Sequence, residues 1–221
     1  MKLVIEALTK FTCGLLLVWL LIFLPAGTLQ YPCGWYFIAL LFGPMLIAGF
    51  VMLYKSPEFL KKRLDAKEKQ TAQKGVVAFS GLMFIAGFVV AGLDFRFGWS
   101  NVPTWVIITA SALFLVAYAL YAEVMRENAY LSRTIKVEDG QTVVDTGLYS
   151  IVRHPMYAVT ILLFLMIPLV LGSWYALIAF GFYPAIIIVR LLDEEKLLTE
   201  ELPGYAEYKQ KVKYRIIPFV W

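Results

Sequence analysis

Two polar clusters flank a pair of apolar segments in the last third of the chain. The first cluster lies within residues 148–157 and contains the single histidine, His154, immediately before an apolar segment of membrane length. The second contains Arg190, Glu194 and Glu195 and follows the next apolar segment. Such cations, carboxylates and an imidazole can bind an anionic or hydroxylated ligand and can transfer protons. Because the two apolar segments predict a helical hairpin, we expect both clusters at the same membrane surface.

The second cluster has two interpretations. Arg190 and Glu194 are four residues apart, so they share one face of a helix. The arginine can bind a carboxylate or a phosphate, and the glutamate can bind hydroxyl or ammonium groups. The same spacing also suits an ion pair at a helix end, and spacing alone leaves both interpretations open.

The histidine also has a structural alternative, because a lone histidine often serves only packing. Its neighbours favour a binding role. Tyr149 and Tyr157 can stack on or hydrogen-bond a planar ligand, and Pro155 fixes the backbone at the start of the apolar segment. The candidate catalytic residues are therefore His154, Arg190, Glu194 and Glu195.

The composition indicates an integral membrane protein. Hydrophobic residues make up 61% of the 221 residues, charged residues make up 16%, and the mean hydropathy is +0.73. These values lie far from the balance of a soluble domain. The net charge of +4 does not indicate a nucleic-acid partner. Cys13 and Cys33 form no motif with the histidine, so neither a disulfide nor a metal site is expected.

Six apolar segments approach the ~20 residues that a helix needs to cross the hydrocarbon core of a membrane. They cover residues 11–29, 33–54, 75–93, 105–125, 157–171 and 174–192. Pro168 and Pro184 interrupt the last two, so five spans are an alternative. The predicted fold class is an all-α polytopic membrane protein with about six transmembrane helices. We divide it into a four-span membrane region, residues 1–125, and a C-terminal core, residues 126–221.

Basic residues predict the orientation, because lysine and arginine are retained on the cytoplasmic side. With six spans, 19 of the 20 basic residues lie on the same side as both termini, and Arg96 lies on the other. We therefore expect both termini and both polar clusters in the cytoplasm. Residues 55–74 interleave basic with acidic side chains, which favours an interfacial helix that faces anionic headgroups.

The motifs around the two clusters carry a resemblance to a known family. Residues 146–157 read Thr-Gly-Leu-Tyr-Ser-Ile-Val-Arg-His-Pro-Met-Tyr. The hydrophobic hairpin, the pair Glu194 and Glu195, Tyr205 and Tyr208, and Arg-Ile-Ile-Pro at residues 215–218 follow in that order. Over roughly residues 126–218 the sequence resembles the isoprenylcysteine carboxyl methyltransferase family and the related phospholipid methyltransferases.

The resemblance implies a membrane enzyme that transfers a methyl group from S-adenosylmethionine to a lipophilic small-molecule or prenylated acceptor within the bilayer. It implies a cytoplasmic cofactor site formed by connectors and the C-terminal tail. The cofactor-binding residues that it implies are Gln141, Thr142, Val143 and Val144 as a strand-like segment, then Tyr149, Arg153, His154, Pro155, Met156, Tyr157 and Glu194. The expected acceptor-binding residues are Arg190, Tyr205 and Arg215.

The sequence departs from the family pattern at two places. Val159 stands where many members of the family have glycine, and Leu-Pro-Gly-Tyr at residues 202–205 replaces the commoner Phe-Gly-x-x-Tyr. No Gly-x-Gly-x-x-Gly motif lies between a strand and a helix, so the cofactor site of soluble methyltransferases is not expected.

Three alternatives stay open. A phospholipid N-methyltransferase would use the same cofactor site, but its ammonium acceptor must first lose a proton to His154 or a carboxylate, whereas a carboxylate acceptor needs no base. An NADPH-dependent sterol or steroid reductase has similar C-terminal motifs. In those reductases asparagine usually stands at the position of Met156, and the pair Glu194 and Glu195 favours the methyltransferase. The third alternative is a non-enzymatic membrane scaffold.

Overall fold

Long apolar helices make up most of the part of the chain that the computed structural model describes, residues 2–64, 71–131 and 137–221. Within these ranges the secondary structure is helical and includes no strand. The helices are α1 (Lys2–Ala26), α2 (Pro32–Lys55), α3 (Pro57–Leu64), α4 (Thr71–Phe97), α5 (Thr104–Glu127), α6 (Pro155–Val170), α7 (Trp174–Phe180), α8 (Tyr183–Glu201) and α9 (Tyr205–Lys211). A 3₁₀ turn, Gly147–Ser150, precedes α6.

The predicted fold class is confirmed. Among the described residues, five stretches are long and apolar enough to cross a membrane, and the fifth of them, Trp174–Glu201, joins α7 and α8. The remaining predicted segment is α6, which has 16 residues and is shorter. Pro184 lies in the first turn of α8, where no backbone N–H partner is required, so the predicted interruption is a break between two helices.

Aromatic side chains form the centre of the bundle. The Phe37 ring lies 5.8 Å from that of Phe88 and 6.2 Å from that of Phe114, and the Phe88 ring lies 5.8 Å from that of Phe180. A β-carbon at Gly87 would lie 2.4 Å from the Phe180 ring, so glycine permits this close packing of α4 against α7. In addition, α1 packs against α4 and α5 packs against α6.

Polar contacts show which helix ends lie together. Near the start of α4, the Gln73 side chain donates to the Asp193 carboxylate of α8 at 2.7 Å. The Lys10 ammonium of α1 donates to the carbonyl of Leu64, at the end of α3, at 2.7 Å. We call this end of the bundle the site end, because the hairpin formed by α6 to α8 brings both polar clusters here.

The opposite end of the bundle is tied by a buried carboxylate. Asp94, which is 2% exposed, accepts hydrogen bonds from the hydroxyls of Ser100 and Ser173 and from the backbone N–H of Ser100. The Ser173 hydroxyl also accepts from the Ala176 N–H at 3.0 Å and caps α7. The carboxylate therefore joins the end of α4 to the turn between α6 and α7.

Part of the predicted interfacial segment 55–74 is the short helix α3, whose Leu60 is buried. Its Lys62 ammonium lies 2.6 Å from the Glu138 carboxylate. Residues 65–70 of the predicted segment and the basic residues Arg133 and Lys136 lie outside the described residues. The division of the chain near residue 125 remains a prediction, and that boundary falls within α5.

Candidate active site

The residues that precede α6 are paired with the C-terminal tail, residues 212–221. The backbone N–H of Arg153 donates to the Tyr214 carbonyl at 2.9 Å, and that of His154 donates to the Arg215 carbonyl at 2.8 Å. Pro155 then begins α6 without needing a partner for a backbone N–H. The tail is therefore fixed directly beside the first polar cluster.

Glu195 connects the entry of α6, helix α8 and the tail. One carboxylate oxygen, Oε1, accepts from Arg153 Nε at 2.6 Å and lies 3.3 Å from His154 Nε2. The other, Oε2, accepts from Arg215 Nε at 2.9 Å. Glu195 is only 4% exposed, so its charge is compensated by these guanidinium groups and not by water.

Arg153 and Arg215 each make a second kind of contact within the tail. Arg153 Nη1 donates to the carbonyls of Val212 and Lys213 at 2.7 and 2.8 Å. The Arg215 guanidinium lies over the Trp221 ring, 4.9 Å from its centroid. Both arginines are therefore engaged in holding the tail.

Tyr157 lies between the two candidate ligand-binding residues of α8. Its hydroxyl donates to the Glu194 carboxylate at 2.5 Å and accepts from Arg190 Nε at 3.2 Å. Its ring stacks on the His154 ring, with centroids 5.6 Å apart and planes 20° from parallel. The hydroxyl of Tyr157 thus joins the acidic and basic side chains whose spacing left two interpretations open.

Tyr149 is held from two sides. Its hydroxyl accepts from Asn128 Nδ2 at 2.9 Å, and its backbone carbonyl accepts from the Tyr208 hydroxyl at 2.7 Å. Burial raises the pKa of the Tyr149 hydroxyl, and it does the same for Tyr205 and Tyr208. All three hydroxyls therefore stay protonated at neutral pH, and that of Tyr208 already donates to the Tyr149 carbonyl.

The turn that carries Tyr149 depends on a glycine. The backbone N–H of Leu148 donates to Glu127 Oε2 at 2.9 Å, at the end of α5. Gly147 has a φ of 51°, and a β-carbon at this position would lie 1.4 Å from Glu127 Oε1. Only glycine combines this backbone conformation with so close an approach of the carboxylate.

These elements surround a cavity at the site end. Twelve of the predicted site residues line it: Gln141, Thr142, Val143, Val144, Tyr149, Arg153, His154, Met156, Tyr157, Arg190, Glu194 and Tyr205. Pro155, Glu195 and Arg215 lie outside the lining, and the last two border a surface groove that includes Lys196. Residues 141–144 belong to no helix or strand and form part of the connector between α5 and α6.

The cavity also contains residues that the sequence reasoning missed. Asn128, Tyr130 and Leu131, which follow α5, line the cavity, and so does Tyr208 of α9. Gln73 of α4 lies outside the lining, but it is fully buried and contacts Arg190, 117 residues away in the chain. The one available signal for Gln73 was an uncharged polar side chain at the start of an apolar segment.

The free hydrogen-bonding capacity of the cavity indicates the kind of ligand that fits. The Tyr205 hydroxyl is buried and has no hydrogen-bond partner among the described residues. With the Glu194 carboxylate and the tyrosine rings, it suits a ligand that carries hydroxyl or ammonium groups and an aromatic ring.

The cavity volume is about 90 Å³, below the ~300 Å³ of small ligand pockets. A nucleoside-sized ligand would therefore require its walls to move apart.

Comparison with known proteins bears on the same part of the chain. The model of the isoprenylcysteine carboxyl methyltransferase (ICMT) family matches residues 105–200, from α5 to the last turn of α8. This match confirms the resemblance predicted from the motifs. A protein of Bacillus subtilis (strain 168) named "Uncharacterized protein YpbQ" is 32% identical over 98 residues. The aligned stretch covers 44% of this chain and 58% of that protein.

Proposed function

We propose that this chain, whose residues 105–200 match the ICMT family, is an integral membrane methyltransferase that acts on the carboxylate of a lipophilic acceptor. The observation that carries the proposal is the cavity at the site end, which Arg190, Glu194 and Tyr157 line together. The cavity lies beside apolar helix α6, so an acceptor can keep its hydrocarbon part in the membrane while its polar end enters the site.

The cofactor of this proposal is S-adenosylmethionine, which supplies a methyl group already activated on a sulfonium. Glu194 would accept hydrogen bonds from its hydroxyl or ammonium groups, and Tyr205 would gain the partner that its buried hydroxyl lacks among the described residues. Tyr149, held by Asn128, would offer an aromatic surface. Residues 141–144, which also line the cavity, would help to enclose the cofactor.

The contacts of the histidine favour a carboxylate acceptor over an ammonium one. His154 Nε2 lies 3.3 Å from Glu195 Oε1, and its ring stacks on that of Tyr157. Both sets of contacts hold the imidazole in place, which favours a structural role for it. A carboxylate is ionised at pH 7 and needs no base, whereas an ammonium group does. Arg190 presents the guanidinium that binds a carboxylate best.

The proposed roles of Arg190 and Glu194 predict separate effects. Arg190→Ala should weaken acceptor use by about 10- to 150-fold, because a hydrogen bond to a charged group contributes ~1.5 to 3 kcal/mol. It should leave cofactor affinity nearly unchanged, and Arg190→Lys should recover part of the loss. Glu194→Gln should weaken cofactor affinity instead, whereas Glu200→Gln, at an exposed position of the same helix, should change neither.

The measurement uses membranes that contain the protein, methyl-labelled S-adenosylmethionine and a lipid extract. Kinetics with each substrate varied separately give the two effects, and alkaline hydrolysis identifies the product. A methyl ester releases its label as methanol, whereas an N-methyl group keeps it. Label that resists alkali would favour the phospholipid N-methyltransferase. Absence of transfer together with NADPH binding would favour the reductase.

We also propose that the site end and both termini face the cytoplasm, because basic residues concentrate there. In a background of Cys13→Ser and Cys33→Ser, a membrane-impermeant thiol reagent outside intact cells should label Asn101→Cys and not Asp139→Cys. Both positions are exposed, and they lie at opposite ends of the bundle. The reverse labelling pattern would contradict this orientation and the access to cytoplasmic cofactor.

A further inference from the structure

A buried amide from α4 contacts the proposed acceptor-binding arginine. Gln73 is fully buried, its Nε2 donates to Asp193 Oδ2 at 2.7 Å, and its Oε1 accepts from Arg190 Nη1 at 3.3 Å. We propose that Gln73 is a positioning residue that fixes the Arg190 guanidinium for an anionic acceptor. The inference rests on the proposed function, and it adds to the site a residue from outside the matched segment 105–200.

The two partners dictate the orientation of the amide. A guanidinium only donates hydrogen bonds and an ionised carboxylate only accepts them. The amide must therefore turn its oxygen toward Arg190 and its nitrogen toward Asp193. A rotated amide would place its N–H groups against the guanidinium and its oxygen against the carboxylate. Gln73 is thus held in one orientation by opposite requirements on its two sides.

The same contacts fix the plane of the guanidinium. Arg190 donates through Nε to the Tyr157 hydroxyl and through Nη1 to Gln73, so two of its nitrogens are held by different helices. Arg190 lines the cavity, and its planar fork binds a carboxylate well only in a defined orientation. A long side chain that is ordered before its ligand arrives has less conformational freedom to lose on binding.

Charge explains why an amide suits this position. A carboxylate at residue 73 would pair with Arg190 and compete with an anionic acceptor, and it would also repel Asp193. An apolar side chain of similar size would keep the packing and remove both hydrogen bonds. Gln73→Glu should therefore impair acceptor binding more than Gln73→Leu does, although both substitutions keep the volume.

The test measures binding as well as turnover. The probes are an N-acetylated, prenylated cysteine with a free carboxylate and its neutral methyl ester, titrated by calorimetry into the detergent-solubilised protein. Gln73→Leu should weaken carboxylate binding by roughly 2- to 13-fold, the effect of ordering one long side chain. Binding of the neutral ester and of S-adenosylmethionine should not change. Ser80→Ala, which removes a hydroxyl bonded to the Val76 carbonyl in α4, is the matched control and should behave like the parent.

A double variant tests whether Gln73 acts through Arg190. Gln73→Leu combined with Arg190→Ala should bind the carboxylate no more weakly than Arg190→Ala alone, because the two changes affect one interaction. Additive losses, an equal loss for the ester, or no loss in Gln73→Leu would overturn the inference. If Gln73→Leu does not fold, Gln73→Glu gives the same comparison of carboxylate with ester. A parent protein that binds the carboxylate but transfers no methyl group would contradict the proposed function alone.

Discussion

Replacing Glu195 with alanine is expected to destabilise the site end by about 3 to 5 kcal/mol and to abolish cofactor binding. The Arg153 side chain is only 5% exposed and lies 2.6 Å from this carboxylate, so the substitution leaves a buried cation without its counter-charge. Arg215 loses the same partner. Since the tail pairs with the residues that begin α6, its displacement would open the wall that carries His154 and Tyr157.

Thermal unfolding in detergent and calorimetry with S-adenosylmethionine measure the two parts of this prediction. Glu195→Gln should retain hydrogen-bond acceptance by one oxygen but lose the charge, and it should fall between the parent and the alanine variant. Glu200→Ala removes an exposed carboxylate five residues further along the same helix and is the control. Parent-like stability and affinity in Glu195→Ala would show that this carboxylate does not hold the tail.

Gly147→Ala is expected to lower cofactor affinity by at least about 30-fold. The new β-carbon would lie 1.4 Å from Glu127 Oε1, so the carboxylate must leave its position beside the Leu148 N–H. An unsatisfied N–H costs ~1 to 3 kcal/mol, and left-handed backbone adds ~1 to 2 kcal/mol for a residue other than glycine. Together they amount to ~2 to 5 kcal/mol, and ~2 kcal/mol already corresponds to a 30-fold loss of affinity for a ligand that requires the native turn.

A second glycine separates these contributions. Gly98 has a φ of 64° with no atom within 4 Å of its added β-carbon, and it lies at the opposite end of the bundle. Gly98→Ala should therefore show the backbone effect on stability without a change in cofactor affinity. Adding Glu127→Ala to Gly147→Ala should remove the clash but not restore the Leu148 contact, so recovery should be partial. Calorimetry that finds parent-like affinity in Gly147→Ala would contradict the role of the turn.

Hydropathy was sufficient to predict the long apolar helices, because a membrane-spanning segment must satisfy its backbone internally and cover itself with apolar side chains. The motif around His154 predicted five of the residues that line the cavity, Tyr149, Arg153, His154, Met156 and Tyr157, for a related reason. Its residues are close in sequence, so one turn and the start of one helix place them together. The break between α7 and α8 was harder to predict from the sequence. Pro184 indicated an interruption, but not that the segment forms two separate helices.

The neighbouring glutamates show where sequence reasoning reached its limit. Both were candidate catalytic residues, but consecutive residues of a helix point about 100° apart. Glu194 lines the cavity, whereas Glu195 faces the arginines that hold the tail. Which one faces the cavity depends on the rotation of α8 in the bundle. Gln73 was missed for a similar reason, because its partners belong to a helix more than 100 residues away.

Glu195 and its two arginine partners also leave the ribosome at different times. Arg153 precedes Glu195 by 42 residues, and Arg215 follows it by 20. Arg153 therefore has no carboxylate partner in the nascent chain until α8 has been synthesised. The carbonyls of Val212 and Lys213, which also bind it, are synthesised later still. The membrane helices can be inserted before this stage. The hydrophobic helices can therefore assemble before the tail reaches Glu195, so we expect the contacts between Glu195 and the tail to be among the last that form.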